Sequence, residues 1–98
     1  MNRSRFQNTV SFTGYLVKSE QLPPSKAGAP MCRIHVDNPD RKNTKFNLRI
    51  PFIAMGKNAE TMDQISIDSL VQIQARVGMH YTNICLYVEA ISNLDECP

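Results

Sequence analysis

The sequence predicts an all-β domain of five strands, with one short helix inserted between the third and fourth strands. Five segments alternate apolar and polar residues, turn-forming residues separate them, and a brief helical segment follows the third. With 98 residues, 42% apolar and 20% charged, the chain has the size and composition of one folded domain. We place this domain at residues 8–95, between a flexible N-terminal arm of residues 1–7 and a short tail of residues 96–98.

The first predicted strand has Val10, Phe12 and Leu16 on one face, which we expect to be buried. Gly14 indicates a bend or the close approach of a neighbouring strand. Tyr15 lies on the polar face of the strand.

The second predicted strand covers residues 31–36, after a long loop that we expect at residues 18–30. Alternate residues of this strand are apolar, and the outward row contains Arg33 and His35. Residues 37–40 have turn-forming chemistry, so the strand should end there.

The third predicted strand begins at Phe46, after a polar and basic connection at residues 41–45. Its even-numbered positions are apolar, while Asn47 and Arg49 lie in the other row. Pro51 has no backbone N–H to donate, so we expect a bulge or a locally unpaired edge at this position.

The remainder of the chain predicts one or two helical turns and two more strands. Ala59 and Met62 mark the helical turns, and residues 71–77 alternate as a fourth strand. Residues 78–83 predict a compact turn. The apolar row of the fifth strand is Ile84, Leu86, Val88 and Ala90.

This layout is typical of an OB-fold, a five-stranded Greek-key barrel. The spacing of the strands also allows an SH3-like barrel, but the helix inserted between the third and fourth strands favours the OB-fold. In OB-folds the face of the second and third strands, together with the first and fourth loops, commonly binds oligonucleotides.

The charges of the chain are segregated along the sequence. Residues 1–57 hold ten Lys and Arg against three Asp and Glu, a net charge of +7, whereas residues 58–98 hold one against six, a net charge of −5. Residues 41–57 include five basic residues and no acidic one. Such segregation attracts a polyanion to one surface, although a solvated basic loop gives the same count.

Catalysis, metal binding and membrane insertion have no support in the sequence. The three cysteines form no CxxC and no Cys/His pairing at metal spacing, which indicates reduced thiols and a cytoplasmic protein. The chain contains two histidines, no Gly-rich phosphate loop and no apolar run long enough to span a bilayer. We therefore expect no enzyme activity, no cofactor and no metal.

Several segments resemble known families. Residues 8–16, NTVSFTGYL, and residues 55–60, MGKNAE, resemble the first strand and the helix start of bacterial single-stranded DNA-binding proteins. Residues 28–34, 50–53 and 86–91 resemble strands of the primosomal replication protein N family, PriB. This resemblance implies an OB-fold homodimer that binds single-stranded DNA without catalysis, in replication or replication restart, beside other replication proteins.

The resemblance places Arg33, His35, Asn47 and Arg49 at the outward positions of the binding strands. Single strands are held by cations along the phosphates and by flat side chains on which bases stack. The candidate phosphate contacts are Lys18, Lys26, Arg33, Arg41, Lys42, Lys45, Arg49, Lys57 and Arg76. The candidate stacking residues are Tyr15, Phe46, His80 and Tyr81.

These residues also have structural explanations. Phe46 belongs to the apolar row of its strand, so it could lie in the core. Tyr15 could form a dimer contact, and Arg49 could form a surface salt bridge. His35 suits a cross-strand partner. The short loop between the last two strands and the absence of Trp motivate a second hypothesis, an OB-fold adaptor whose basic face meets an acidic protein. Single-stranded RNA is a further ligand that charge and stacking do not distinguish from DNA.

Overall fold

The structure is a computed structural model that describes residues 8–39, 47–80 and 82–95. Within these ranges the elements are β1 (Thr9–Leu22), β2 (Met31–Pro39), β3 (Asn47–Met55), α1 (Lys57–Asp63), β4 (Leu70–His80) and β5 (Asn83–Asn93). The strands close a barrel in the order β1-β2-β3-β5-β4. This order, with α1 between β3 and β4, confirms the predicted OB-fold. The predicted arm and tail lie outside the described residues.

The barrel core is built from the apolar rows that the alternation predicts. Cross-strand pairs of β2 and β3 place Ile34 opposite Phe52 and Cys32 opposite Ala54, and all four are buried. The Phe12 ring packs against that of Phe52, with centroids 5.8 Å apart. Burial of each large apolar side chain stabilises the fold by about 1.5–3 kcal/mol. The buried apolar residues are Leu16, Cys32, Ile34, Val36, Phe52, Ala54, Ala59, Met62, Val71, Ile73, Ala75 and Val88.

Helix α1 closes one side of this core. Ala59 and Met62, three positions apart in the predicted helical turns, face inward and are buried. The side-chain amide of Asn58 donates to the Val88 carbonyl at 3.0 Å and so ties the helix to β5. Within the described ranges, no helix has the length and apolar character needed to cross a membrane.

Strand β1 is longer than the sequence predicts. The register with β2 shifts between Leu16 and Lys18, and pairing then resumes at Lys18 with His35 and continues to Leu22 with Met31. The predicted loop at residues 18–30 is therefore wrong in its first part, because pairing with β2 orders residues that have no apolar period of their own. As a result, Lys18 and Glu20 lie beside β2.

Two glycines lie where neighbouring atoms leave no room for a side chain. A Cβ at Gly14 would lie 2.5 Å from the carbonyl oxygen of Asp37, which confirms the predicted close approach. Gly78, predicted to belong to a turn, lies in β4 instead, and a Cβ there would lie 2.8 Å from the Tyr87 ring. Strand β4 therefore continues to His80, which pairs with Asn83.

Pro51 lies opposite His35 in an unbroken β2–β3 register, so the predicted bulge is absent. The alternative prediction, a locally unpaired edge, agrees with the β3–β5 pairing, which the structure gives at Ile53 with Tyr87. Strand β2 also runs through the predicted turn as far as Pro39. Leu48, which has the parity of the core, is 58% exposed, since it lies near the start of β3, away from the core residues Phe52 and Ala54.

The predicted apolar row of β5 is only partly correct. The β4–β5 register shifts so that Gln74 pairs with Ala90 but Ala75 pairs with Val88, leaving Glu89 as an extra residue. Up to Val88 the even-numbered residues of β5 face the core, and beyond the bulge the odd-numbered residues do. Ala90 is consequently exposed, and its neighbour Ile91 packs against the core. Ile84, at the other end of the row, is 74% exposed.

Candidate nucleic-acid interface

The first part of the candidate site is the outer surface of β1, β2 and β3. In the β2–β3 register Arg33 lies opposite Ile53, and Asp37 lies opposite Arg49. Directly opposed residues of an antiparallel pair point to the same side of the sheet, so Arg33 and Arg49 share one face. We call this surface the three-strand face; its outward row contains Tyr15, Lys18, Glu20, Arg33, His35, Asp37, Arg49, Pro51 and Ile53.

Carboxylates from neighbouring strands are interleaved with the cations of this face. Glu20 Oε1 lies 3.4 Å from Nη1 of Arg33 and 3.7 Å from Nε2 of His35. Asp37 faces Arg49 through two oxygen atoms, at 3.4 Å from Nε and 3.5 Å from the second guanidinium nitrogen. Arg49 therefore makes the surface salt bridge that the sequence analysis gave as its structural explanation, here with Asp37. His35 likewise has a cross-strand contact, with Glu20. The three-strand face is a set of ion pairs rather than an uninterrupted cationic track.

Glu20 is held in its charged form by the groups around it. Burial is the largest single influence on the pKa of its carboxyl and raises it, but Lys18, Arg33 and His35 together lower the pKa below the ordinary value of 4.5. Because the pKa is lower in the folded chain, the stabilisation is present above the ordinary value and is lost as the pH falls through the lowered one. The ion pair of Glu20 with Arg33 therefore persists at neutral pH.

Beside the three-strand face lies a groove of about 880 Å³ between the β1–β2 loop and the ends of β3, β4 and β5. We call it the lateral groove. Leu22, Pro23 and Pro24 form part of its apolar wall. Its other lining residues include Lys26, Met31, Arg33, Met55, Arg76 and Tyr87.

Tyr87 is the aromatic residue of this groove, and the sequence did not identify it as a candidate. Its ring occupies the space that Gly78 leaves open, and its hydroxyl donates to the Met79 carbonyl at 3.4 Å. The sequence does show that Tyr87 lies in the outward row of β5. Only the register between β4 and β5, however, places its ring over Gly78. The methionines Met31 and Met55 were also missed, because only the β2–β3 pairing and the closure of the barrel bring them to this groove.

The remaining predicted residues are dispersed over the molecule. Tyr15 and Lys18 are exposed on the three-strand face, and Lys57 is exposed at the start of α1. Arg76 lines the lateral groove, and its Nε lies 3.2 Å from Oε2 of Glu89, which does not line it. Arg41, Lys42, Lys45, Phe46 and Tyr81 lie outside the described residues, as do the side chains of Asn47 and His80.

The described cysteines, Cys32 and Cys85, are free thiols. Burial, the larger influence, and the negative charge of Asp63 both raise the pKa of the Cys32 thiol, which therefore stays protonated. Among the described residues, no three His, Cys, Asp or Glu side chains are grouped as metal ligands. The described side chains offer a ligand guanidinium groups, aromatic rings and an apolar wall. Cations and aromatic rings are the groups that hold a single strand.

Comparison with known proteins supports the fold. No model of a known protein family matches the chain, and no curated protein matches it. Among solved structures, PriB from Ralstonia solanacearum superposes with a TM-score of 0.74 at 15% identity, covering 88% of this chain and 97% of that one. The SSB domain of a Synechococcus protein superposes with a TM-score of 0.72 at 16% identity, covering 91% and 98%.

A third structure, described as dimeric, is the N-terminal domain of PriB from Thermoanaerobacter tencongensis. It superposes with a TM-score of 0.72 at 14% identity and covers 91% of this chain and 98% of the other. These likenesses extend over most of each chain, so the resemblance noticed in the sequence is confirmed for the fold.

Proposed function

We propose that this chain, which has the fold of PriB and of SSB domains, is a non-catalytic protein that binds single-stranded DNA with little sequence preference. One observation carries the proposal: Arg33 and Arg49 share the three-strand face, and Arg33 also lines the lateral groove with Arg76 and Tyr87. The surface therefore combines the cations and the aromatic ring that a single strand requires.

The backbone phosphates would follow the guanidinium groups across β2 and β3. Arg49 is 58% exposed although its partner Asp37 is only 12% exposed, so a phosphate oxygen can reach the outer side of the guanidinium group. Bases would stack on Tyr15 or Tyr87, each stacked base contributing about 1–3 kcal/mol. We include the predicted cations and rings that lie outside the described residues in this proposal.

The biological setting that we propose is replication or replication restart, in the cytoplasm, as a homodimer beside other replication proteins. Support comes from the shared fold and from a structural neighbour that is described as dimeric. Replication proteins that bind single strands commonly use OB-folds.

The test is a fluorescence titration with a labelled oligo-dT over a range of salt concentrations. About five phosphate contacts predict that log K falls against log salt with a slope near −3.5. A parallel oligo-rU titration measures the preference between DNA and RNA. If the wild-type chain binds no oligo-dT even at low salt, the proposal is wrong.

Arg49→Ala should weaken oligo-dT binding about fivefold at low salt and make the salt slope shallower by about 0.7. Arg49→Lys keeps the charge but not the two-nitrogen contact, so it should recover most of the slope. Gln72→Ala, on the exposed side of β4, is the control and should bind like the wild type. Thermal melts of all variants separate weak binding from loss of the fold, since Arg49→Ala leaves Asp37 without this partner.

The lateral groove favours a second candidate function, an adaptor for an acidic protein. Met31, Met55 and Met79 give it a wall of adaptable thioether side chains, and Lys26, Arg33 and Arg76 supply positive charge. Such a partner should co-purify in stoichiometric amount, while oligo-dT binding stays in the millimolar range. Micromolar oligo-dT binding without a co-purifying protein would exclude this alternative.

A further inference from the structure

The two arginines that line the lateral groove are each paired with a carboxylate outside it. Arg33 Nη1 lies 3.4 Å from Glu20 Oε1, and Arg76 Nε lies 3.2 Å from Glu89 Oε2. Both arginines line the groove, whereas neither glutamate does. Each guanidinium group thus has an anionic partner on an adjacent strand.

Each glutamate owes its position to an irregularity of the barrel. Glu20 lies opposite Arg33 because the register between β1 and β2 shifts between Leu16 and Lys18. Glu89 is the extra residue of the β5 bulge, and it lines a separate, smaller cavity of about 210 Å³. Without the register shift between β1 and β2, or without the bulge between β4 and β5, Glu20 and Glu89 would not have these positions beside Arg33 and Arg76.

Both ion pairs are open to solvent. The side chains of Arg33 and Glu20 are 43% and 38% exposed, and those of Arg76 and Glu89 are 53% and 47% exposed. Exposed pairs of this kind are weak and are screened by salt. An incoming phosphate can therefore replace the carboxylate as the partner of either guanidinium group.

We infer that Glu20 and Glu89 set the affinity of the lateral groove, by competing with the phosphates of a bound single strand for Arg33 and Arg76. This inference rests on the proposed function. Binding a single strand requires that the Arg33–Glu20 and Arg76–Glu89 ion pairs be broken. The wild-type chain therefore binds more weakly than a chain with the same arginines and without these carboxylates. Rapid exchange of a strand between proteins would benefit from this weakening.

The experiment is an oligo-dT titration of Glu20→Gln, Glu89→Gln and the double variant. Glutamine keeps the size of the side chain but removes the charge, so each single variant should bind about threefold more tightly and the double variant about tenfold. The control is Glu60→Gln on the exposed side of α1, which changes the net charge equally and lines neither cavity. It should bind within about 1.5-fold of the wild type at 200 mM salt, where distant charges are screened.

A double-mutant cycle adds a second readout. In an Arg33→Ala background, Glu20→Gln should no longer raise the affinity for oligo-dT, because the guanidinium group for which Glu20 and the phosphates compete is absent. An equal gain from Glu60→Gln, or a gain that persists in the Arg33→Ala background, would overturn the inference and leave the proposed function intact. Failure of both the wild type and the double variant to bind oligo-dT would contradict the proposed function as well. Binding of oligo-dT by the Glu20→Gln/Glu89→Gln variant but not by the wild type would support the competition at the groove and would contradict the proposed function of the wild-type chain.

Discussion

At the scale of single residues, Arg49 and Asp37 serve the fold as well as the proposed binding. The Asp37 carboxylate is nearly buried, and two nitrogens of Arg49 face its two oxygens. A buried carboxylate without hydrogen-bonding partners is costly, so this contact helps to hold Asp37 in place. The solvent-exposed side of the Arg49 guanidinium group remains available to bind a ligand.

Asp37 also limits what position 14 can hold, and this gives a prediction about stability. Gly14→Ala should lower the free energy of unfolding by about 1–3 kcal/mol, because the new methyl group meets the backbone of Asp37. Gly78→Ala is the comparison: its methyl group meets the Tyr87 ring, a side chain that can move, so the loss should be smaller. Urea unfolding of both variants measures the difference. Equal losses would mean that the Asp37 backbone yields as easily as the Tyr87 ring.

At the scale of elements, the bulge in β5 decides which side chains of that strand stabilise the barrel. Before the bulge, Leu86 and Val88 face the core, and beyond it Ile91 replaces Ala90. The same bulge makes Glu89 available to Arg76. One additional residue thus connects core packing with the charge of the lateral groove.

Two isoleucines of β5 test this assignment. Ile91→Ala should cost about 2 kcal/mol of unfolding free energy because Ile91 packs against the core. Ile84→Ala removes the same atoms from an exposed position and should change stability by less than about 0.5 kcal/mol. Thermal or urea unfolding supplies both values. The reverse order would show that the parity of β5 does not switch at Glu89.

At the scale of the whole molecule, closure of the barrel mixes charges that are separated along the chain. Arg76, from the acidic C-terminal part, joins Arg33 in the lateral groove. Glu20 and Asp37, from the basic N-terminal part, occupy the outward row beside the arginines. The net charge of a sequence segment is therefore a poor guide to the charge of the surface it helps to form.

The proposed homodimer belongs to this scale. Light scattering on purified chain should give about twice the monomer mass of 11.1 kDa, and the value should fall on dilution below the dissociation constant. A constant monomer mass at high protein concentration would contradict the dimer while leaving the binding proposal open to its own test. Light scattering on Ile84→Ala shows whether this exposed side chain contributes to association.

Local alternation was sufficient to predict the five strands, the helix at Ala59 and Met62, and the shared outward face of Arg33 and Arg49. Each of these depends on side-chain direction, which repeats every two residues in a strand and every three to four in a helix, and which is a property of the segment itself. The tertiary structure alone decided the length of β1, the parity of β5 and the position of Tyr87 over Gly78. It also decided which carboxylate meets each arginine, because these features depend on the register between strands distant in sequence, which is set only when the barrel closes.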